Sequence, residues 1–131
     1  MSTARLMEHV EDPALTITKS IGSLKDFTIF GNYVLLGVYE RPLKTKSGII
    51  LTDNTRAEDK HQGKAGLVLK KGTTAFVSDA HYDFKDQNVE IGDWVSIWVS
   101  DGRAITINGQ LARLVEDQHI RLKIPAPDTV F

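Results

Sequence analysis

The sequence predicts an all-β domain, a small barrel of short strands. Three observations carry this. Apolar residues recur with a period of two in short runs, and those runs are rich in β-branched and aromatic side chains. Turn dipeptides, Gly92-Asp93, Asp101-Gly102 and Asn108-Gly109, punctuate them at close spacing. No window sustains a helical period. At 131 residues the chain fits one domain with a real core and little spare length.

Taken in order, Met1 to Lys25 form a mixed leader. Asp12-Pro13 is a turn signal, and Leu15-Thr16-Ile17-Thr18 alternates weakly like a short strand; a pendant arm, an added edge strand and a disordered tail all remain open. Phe27-Thr28-Ile29-Phe30 reads as a strand, Gly31-Asn32 as a break, and Tyr33 to Tyr39 as a second strand. From Arg41 to Lys64 the chain is mostly polar, dominated by Lys, Thr, Ser, Asp, Asn, Glu, Gln and Gly, around one apolar island, Ile49-Ile50-Leu51. So polar a segment buries too little to offset its ordering entropy, and a mobile loop is expected over about 43–64. The island then either packs on its own domain as a barrel strand or docks into a partner.

Ala65 to Leu69 give the next strand, ending at Lys70-Lys71-Gly72. Thr73 to Glu90 form an insertion carrying Phe76, Val77, Tyr82 and Phe84. Ile91 to Val99 read as the most convincing strand, with Trp94 and Trp98 on one face as core or subunit contact. Asp101-Gly102 and Asn108-Gly109 tolerate positive φ and bracket Ala104 to Ile107, which leads into Leu111 to Val115. Ile120 to Ile124 alternate cleanly before Pro125 and Pro127 stop the strand. The expected division is a 1–26 extension, a 27–124 barrel and a 125–131 tail.

Composition excludes several functions. Sixteen basic against seventeen acidic residues leave a net charge of -1, and the basic residues are dispersed, so nucleic acid has no electrostatic footprint. Cysteine is absent, which removes disulfides, thiolate metal sites and a Cys nucleophile. Glu8, Glu11 and Asp12 interrupt any signal-peptide core, and no run reaches membrane-span length, so a cytoplasmic protein is expected. His9, His61, His81 and His119 lack metal-ligand spacing, and Asp83, Asp86 and Glu90 lack a calcium-loop pattern. Lys70-Lys71-Gly72-Thr73-Thr74 lacks the glycine spacing of a P-loop. No enzyme is expected.

The order of the pieces resembles the GroES co-chaperonin family over roughly Phe27 to Ile124. Asn32-Tyr33-Val34-Leu35-Leu36 is similar to its opening strand, and Lys44-Thr45-Lys46-Ser47-Gly48-Ile49-Ile50-Leu51 to its basic loop leading into Gly-Ile-hydrophobic-Leu. Gly66-Leu67-Val68-Leu69 before Gly72, then Val89-Glu90-Ile91-Gly92-Asp93-Trp94-Val95, then Ile120 to Ile124 complete the pattern. The longer leader, the longer 73–90 insertion and the tail look most like the divergent bacteriophage co-chaperonins.

The resemblance implies a partly open GroES-like β-barrel with a long mobile loop and a roof β-hairpin at 73–90. It implies a homoheptameric ring that caps an ATP-loaded, GroEL-type host chaperonin and helps fold a client such as a phage capsid protein. Gly48, Ile49, Ile50 and Leu51 would bind the chaperonin, and Tyr82 and Phe84 would line the roof. Phe27, Ile29 and Val34 of one subunit would meet Ile120, Leu122 and Ile124 of the next. No cofactor is implied, since ATP belongs to the partner, and neither nucleic acid nor membrane enters. The rival from another class is a virion structural protein, a capsid cement, decoration or collar component, that reuses the fold.

Overall fold

The computed structural model describes residues 11–40, 50, 64–81 and 83–129. One antiparallel sheet of six strands organises them: β1 (Tyr33–Val38), β2 (Ala65–Lys71), β3 (Trp94–Ser96), β4 (Arg103–Ile107), β5 (Gln110–Glu116) and β6 (Leu122–Ile124). Their order across the sheet is β4-β5-β1-β2-β3-β6, so β4 and β6 are edges and the sheet does not close on itself. The all-β class and the partly open barrel expected from the sequence are what the fold shows, with one short helix added.

β1 is a near-continuous apolar run because both its faces are covered. Val34 and Leu36 join Val68, Val95, Val115, Val89, Ile97 and Ile120 on one face. Leu35 joins Leu67, Leu69 and Ala112 on the other. Opposite β1 the register slips between Leu35↔Lys70 and Leu36↔Val68, which leaves Leu69 as the extra residue of a β-bulge. The β4–β5 hairpin turns at Asn108-Gly109 with φ of 51° and 81°. Positive φ at both positions is what a two-residue turn needs to match strand twist, and Asn-Gly supplies it cheaply.

The described part of the leader holds a helix, α1 (Pro13–Ile21), where Leu15–Thr18 suggested a strand. The Asp12 side chain accepts the Ala14 N–H as N-cap, Pro13 occupies the first turn, and Gly22 ends the helix at φ 75°. Pro13, Ile17 and Ile21, spaced by four, are its buried side. Ile17 seats over Gly37: a Cβ there would stand 2.4 Å from Ile17 Cγ2. Asn108 Nδ2 donates to the Ile21 carbonyl at 2.7 Å, tying the helix end to the hairpin turn.

Other expected elements are corrected. Phe27–Phe30 form no strand. The Phe27 N–H turns back to the Leu24 carbonyl, and Lys70 Nζ donates to the carbonyls of both Leu24 and Phe27, holding the segment against the sheet. The expected strand Ile91–Val99 shortens to Trp94–Ser96, between a turn at Ile91-Gly92 and another at Val99-Ser100. The last strand starts at Leu122, after a 3-10 turn at Asp117–His119. The tail folds back: Ala126 and Asp128 are each 1% exposed. No hairpin is present among the described residues of 73–90, which form successive turns.

Candidate functional site

Three regions concern the expected function. The first is where β1 and β2 deliver the segment between them. Tyr39 is buried at the end of β1, edge-on to Trp94 at 6.0 Å, and its N–H reaches the Ala65 carbonyl at 3.0 Å. Ile124 packs into the same cluster. The two roots are therefore joined to each other and to the last strand. Ile50 is 66% exposed and forms an isolated β-bridge, whereas Gly48, Ile49 and Leu51 lie outside the described residues.

The second region is the β6 edge. Among the described strands β6 pairs with β3 alone, and Leu122 stands half-exposed on it. Ile120 and Ile124, expected to meet a neighbour, are buried in their own protomer, as is Val34. Their side chains are core: Val34 and Ile120 share one apolar cluster, and Ile124 packs with Tyr39 and Ala65 in another. β1 has both edges taken, by β2 and β5, so it cannot pair with another chain. Only the stretch before it is left over: Phe27 and Phe30 are exposed and Ile29 is half-buried.

Beside this edge lies an ordered polar cluster. Arg121 stacks its guanidinium 3.8 Å from the centre of the exposed Trp98 ring and meets Asp101 Oδ2 at 3.0 Å. Asp101 also accepts the Trp98 N–H at 2.8 Å, and Arg113 donates to the Val99 and Asp101 carbonyls. Burial alone would push the Asp101 carboxyl up. The Arg121 and Trp98 hydrogen bonds and the nearby positive charge outweigh it and hold the group below its ordinary 3.8.

The third region is the insertion. Phe84, expected to line a cavity, is 5% exposed and packs edge-on against Phe76 at 5.5 Å, so it pins the insertion to its own barrel. Tyr82 lies outside the described residues. Phe76 has φ 61°, an outlier for a bulky side chain and worth roughly 1–3 kcal/mol of strain. Its N–H is held by Asp117 Oδ2 at 3.0 Å, while Asp117 Oδ1 accepts from Asn32 Nδ2 at 3.1 Å. Sequence reasoning passed over Asp117, which stands in a polar Glu-Asp-Gln-His stretch with no local mark of burial. Among the described residues no group of three His, Cys, Asp or Glu is placed to hold a metal ion. No described helix is long and apolar enough to cross a membrane.

The family model of the chaperonin 10 Kd subunit matches residues 26–124. The chain belongs to this family. The match begins just after α1, spans the three regions above and ends on the last residue of β6, which leaves α1 and the 125–129 turn as additions to the family body. No curated protein matches the chain. Family membership supports a co-chaperonin role, working with a chaperonin, in a family that is in general non-catalytic.

Proposed function

We propose that the protein assembles into a homoheptameric ring and caps an ATP-loaded, GroEL-type chaperonin through Gly48, Ile49, Ile50 and Leu51. The observation that carries this is the exposed Ile50, lying between strands whose roots are pinned together, inside a family match that runs from 26 to 124. ATP is bound by the partner, and this chain takes no cofactor. Ring closure would place residues 27–30 of one subunit along the unpaired edge of β6 in the next, which satisfies an otherwise open sheet edge. The client is a large protein, such as a phage capsid protein, folded in the host cytoplasm.

Magnitudes favour weak arms acting together. Burying three aliphatic side chains is worth about 4–9 kcal/mol, and ordering the segment costs roughly 2–5 kcal/mol. A surplus of about 4 kcal/mol corresponds to a millimolar Kd. One arm scarcely binds, whereas several on one ring bind strongly through effective concentration and still release singly. That suits a lid removed in every cycle.

Replacing Ile50 by Asp tests the proposal. Ile50 is exposed in the free subunit, so its own fold is undisturbed, while a charge in an apolar groove loses more than the surplus of one arm. Co-sedimentation with a chaperonin and ATP should show loss of capping with the ring intact. Parent-like binding would remove the tripeptide from the docking site.

A further inference from the structure

β4 stands at the opposite end of the sheet from β6, so its outer side is a separate surface. The two-residue turn at Asn108-Gly109 fixes which of its backbone groups face outward. Ile107 and Gln110 flank that turn as a hydrogen-bonded pair, and alternation along the ladder makes Ile105↔Ala112 and Arg103↔Leu114 the next such pairs. Ala104 and Thr106 therefore turn their N–H and C=O groups away from β5. Both residues are exposed, and no hydrogen bond from another described element reaches them. The devices that usually protect an edge are missing from this strand. β4 holds no Pro or Lys, its register with β5 carries no bulge, and its single charge, Arg103, sits at one end.

We infer that β4 is a self-pairing edge, joined antiparallel to β4 of a second copy about a two-fold axis at Ile105. The flanks select the register. Gly102 at φ 66° and Asn108 at φ 51° leave the extended region on either side, so a partner strand engages Arg103–Ile107 alone. Within those limits a second β4 satisfies every outward group when Ala104 of one copy exchanges both its bonds with Thr106 of the other, and the reverse. A slip by two residues either way sets one of them against Gly102 or Asn108. In the matched register Ile105 meets its own counterpart as a non-hydrogen-bonded pair, the closer spacing, about 4.5 Å between Cα atoms. Arg103 falls opposite Ile107, so no like charges are opposed and the arginine stem covers a half-buried isoleucine. One patch serves both copies, as an isologous contact requires.

Single cysteines test this, because the chain has none of its own and any disulfide must join two copies. Ile105 and Ile107 are both half-buried on the same face of β4, which makes the second a control for the first. Under mild oxidation Ile105→Cys should give a covalent dimer about ten times faster than Ile107→Cys, since only the first lies within disulfide reach of itself across the axis. Adding Thr106→Pro to Ile105→Cys should remove that advantage with the far-UV circular dichroism unchanged. The proline deletes an outward N–H and leaves the pairing with β5 intact. Equal rates for the two cysteines, or linkage indifferent to the proline, overturn the self-pairing edge. If either of these variants does not fold, the exposed positions decide. Ala104→Cys and Thr106→Cys proteins, mixed, should then link to each other in preference to themselves by mass spectrometry, and linkage without that preference overturns the proposal equally.

Discussion

Asp101 shows what a single buried carboxylate does here. It is 5% exposed, accepts from Trp98 and Arg121, and its backbone carbonyl receives Arg113. Because its folded pKa is lowered, the ionised form contributes stability that is fully present above the ordinary value of 3.8 and is lost as pH falls through the folded value. Melting temperature measured from neutral to acid pH should therefore drop more steeply for the parent than for Asp101→Asn, and the variant should be the less stable at neutral pH. Parallel curves would count against this account. The sequence marked Asp101-Gly102 as a turn, and Gly102 at φ 66° bears that out, since a Cβ there would also stand 2.3 Å from the Leu114 carbonyl oxygen. What was not legible is the carboxylate's work, because its partner Arg121 reaches it only through the fold.

Among elements, α1 is the chief departure from what the sequence suggested. Thr16, Ile17, Thr18 and Ile21 are β-branched and poor helix formers, so local composition favoured a strand. Tertiary packing overrode it: Asp12, Pro13, Ile17 and Ile21 form a cap and a stripe that match the small-residue floor of Gly37 and Ala112. The strands were legible where both faces are buried or where a turn dipeptide bounds them, as at β1 and the Asn108-Gly109 hairpin. Phe27–Phe30 and Ile97–Val99 misled because an apolar pattern shows suitability for a strand and not the presence of a partner. Of the expected contact residues, Phe27 and Leu122 are exposed, whereas Val34, Ile120 and Ile124 are core, a distinction that period-two spacing alone does not make. The socket gives a prediction. Ile17→Ala should cost about 2–5 kcal/mol, Gly37→Ala should also destabilise by clashing with Ile17, and the double variant should cost clearly less than the sum. Denaturant titration of the four proteins measures the coupling; strict additivity would mean that the helix does not sit on Gly37.

At the scale of the molecule, the sheet of the described residues ends in two edges, β4 and β6, and a groove lies beside β6. Native mass spectrometry at micromolar concentration should show a closed oligomer. A protein that stays monomeric at tens of micromolar would contradict the ring.

The placement of β1 also bears on how the molecule reaches this state. β1 lies between β2 and β5, so its second neighbour comes from the far end of the chain. Pairings between such distant residues close large loops and form slowly. During synthesis α1 emerges before every described strand, yet part of its seat is Ala112, on β5. The first described element to be made thus completes its packing only once β5 is in place, and until then part of the Ile17 and Ile21 surface stays open. A co-chaperonin subunit therefore has an exposed interval in its own folding.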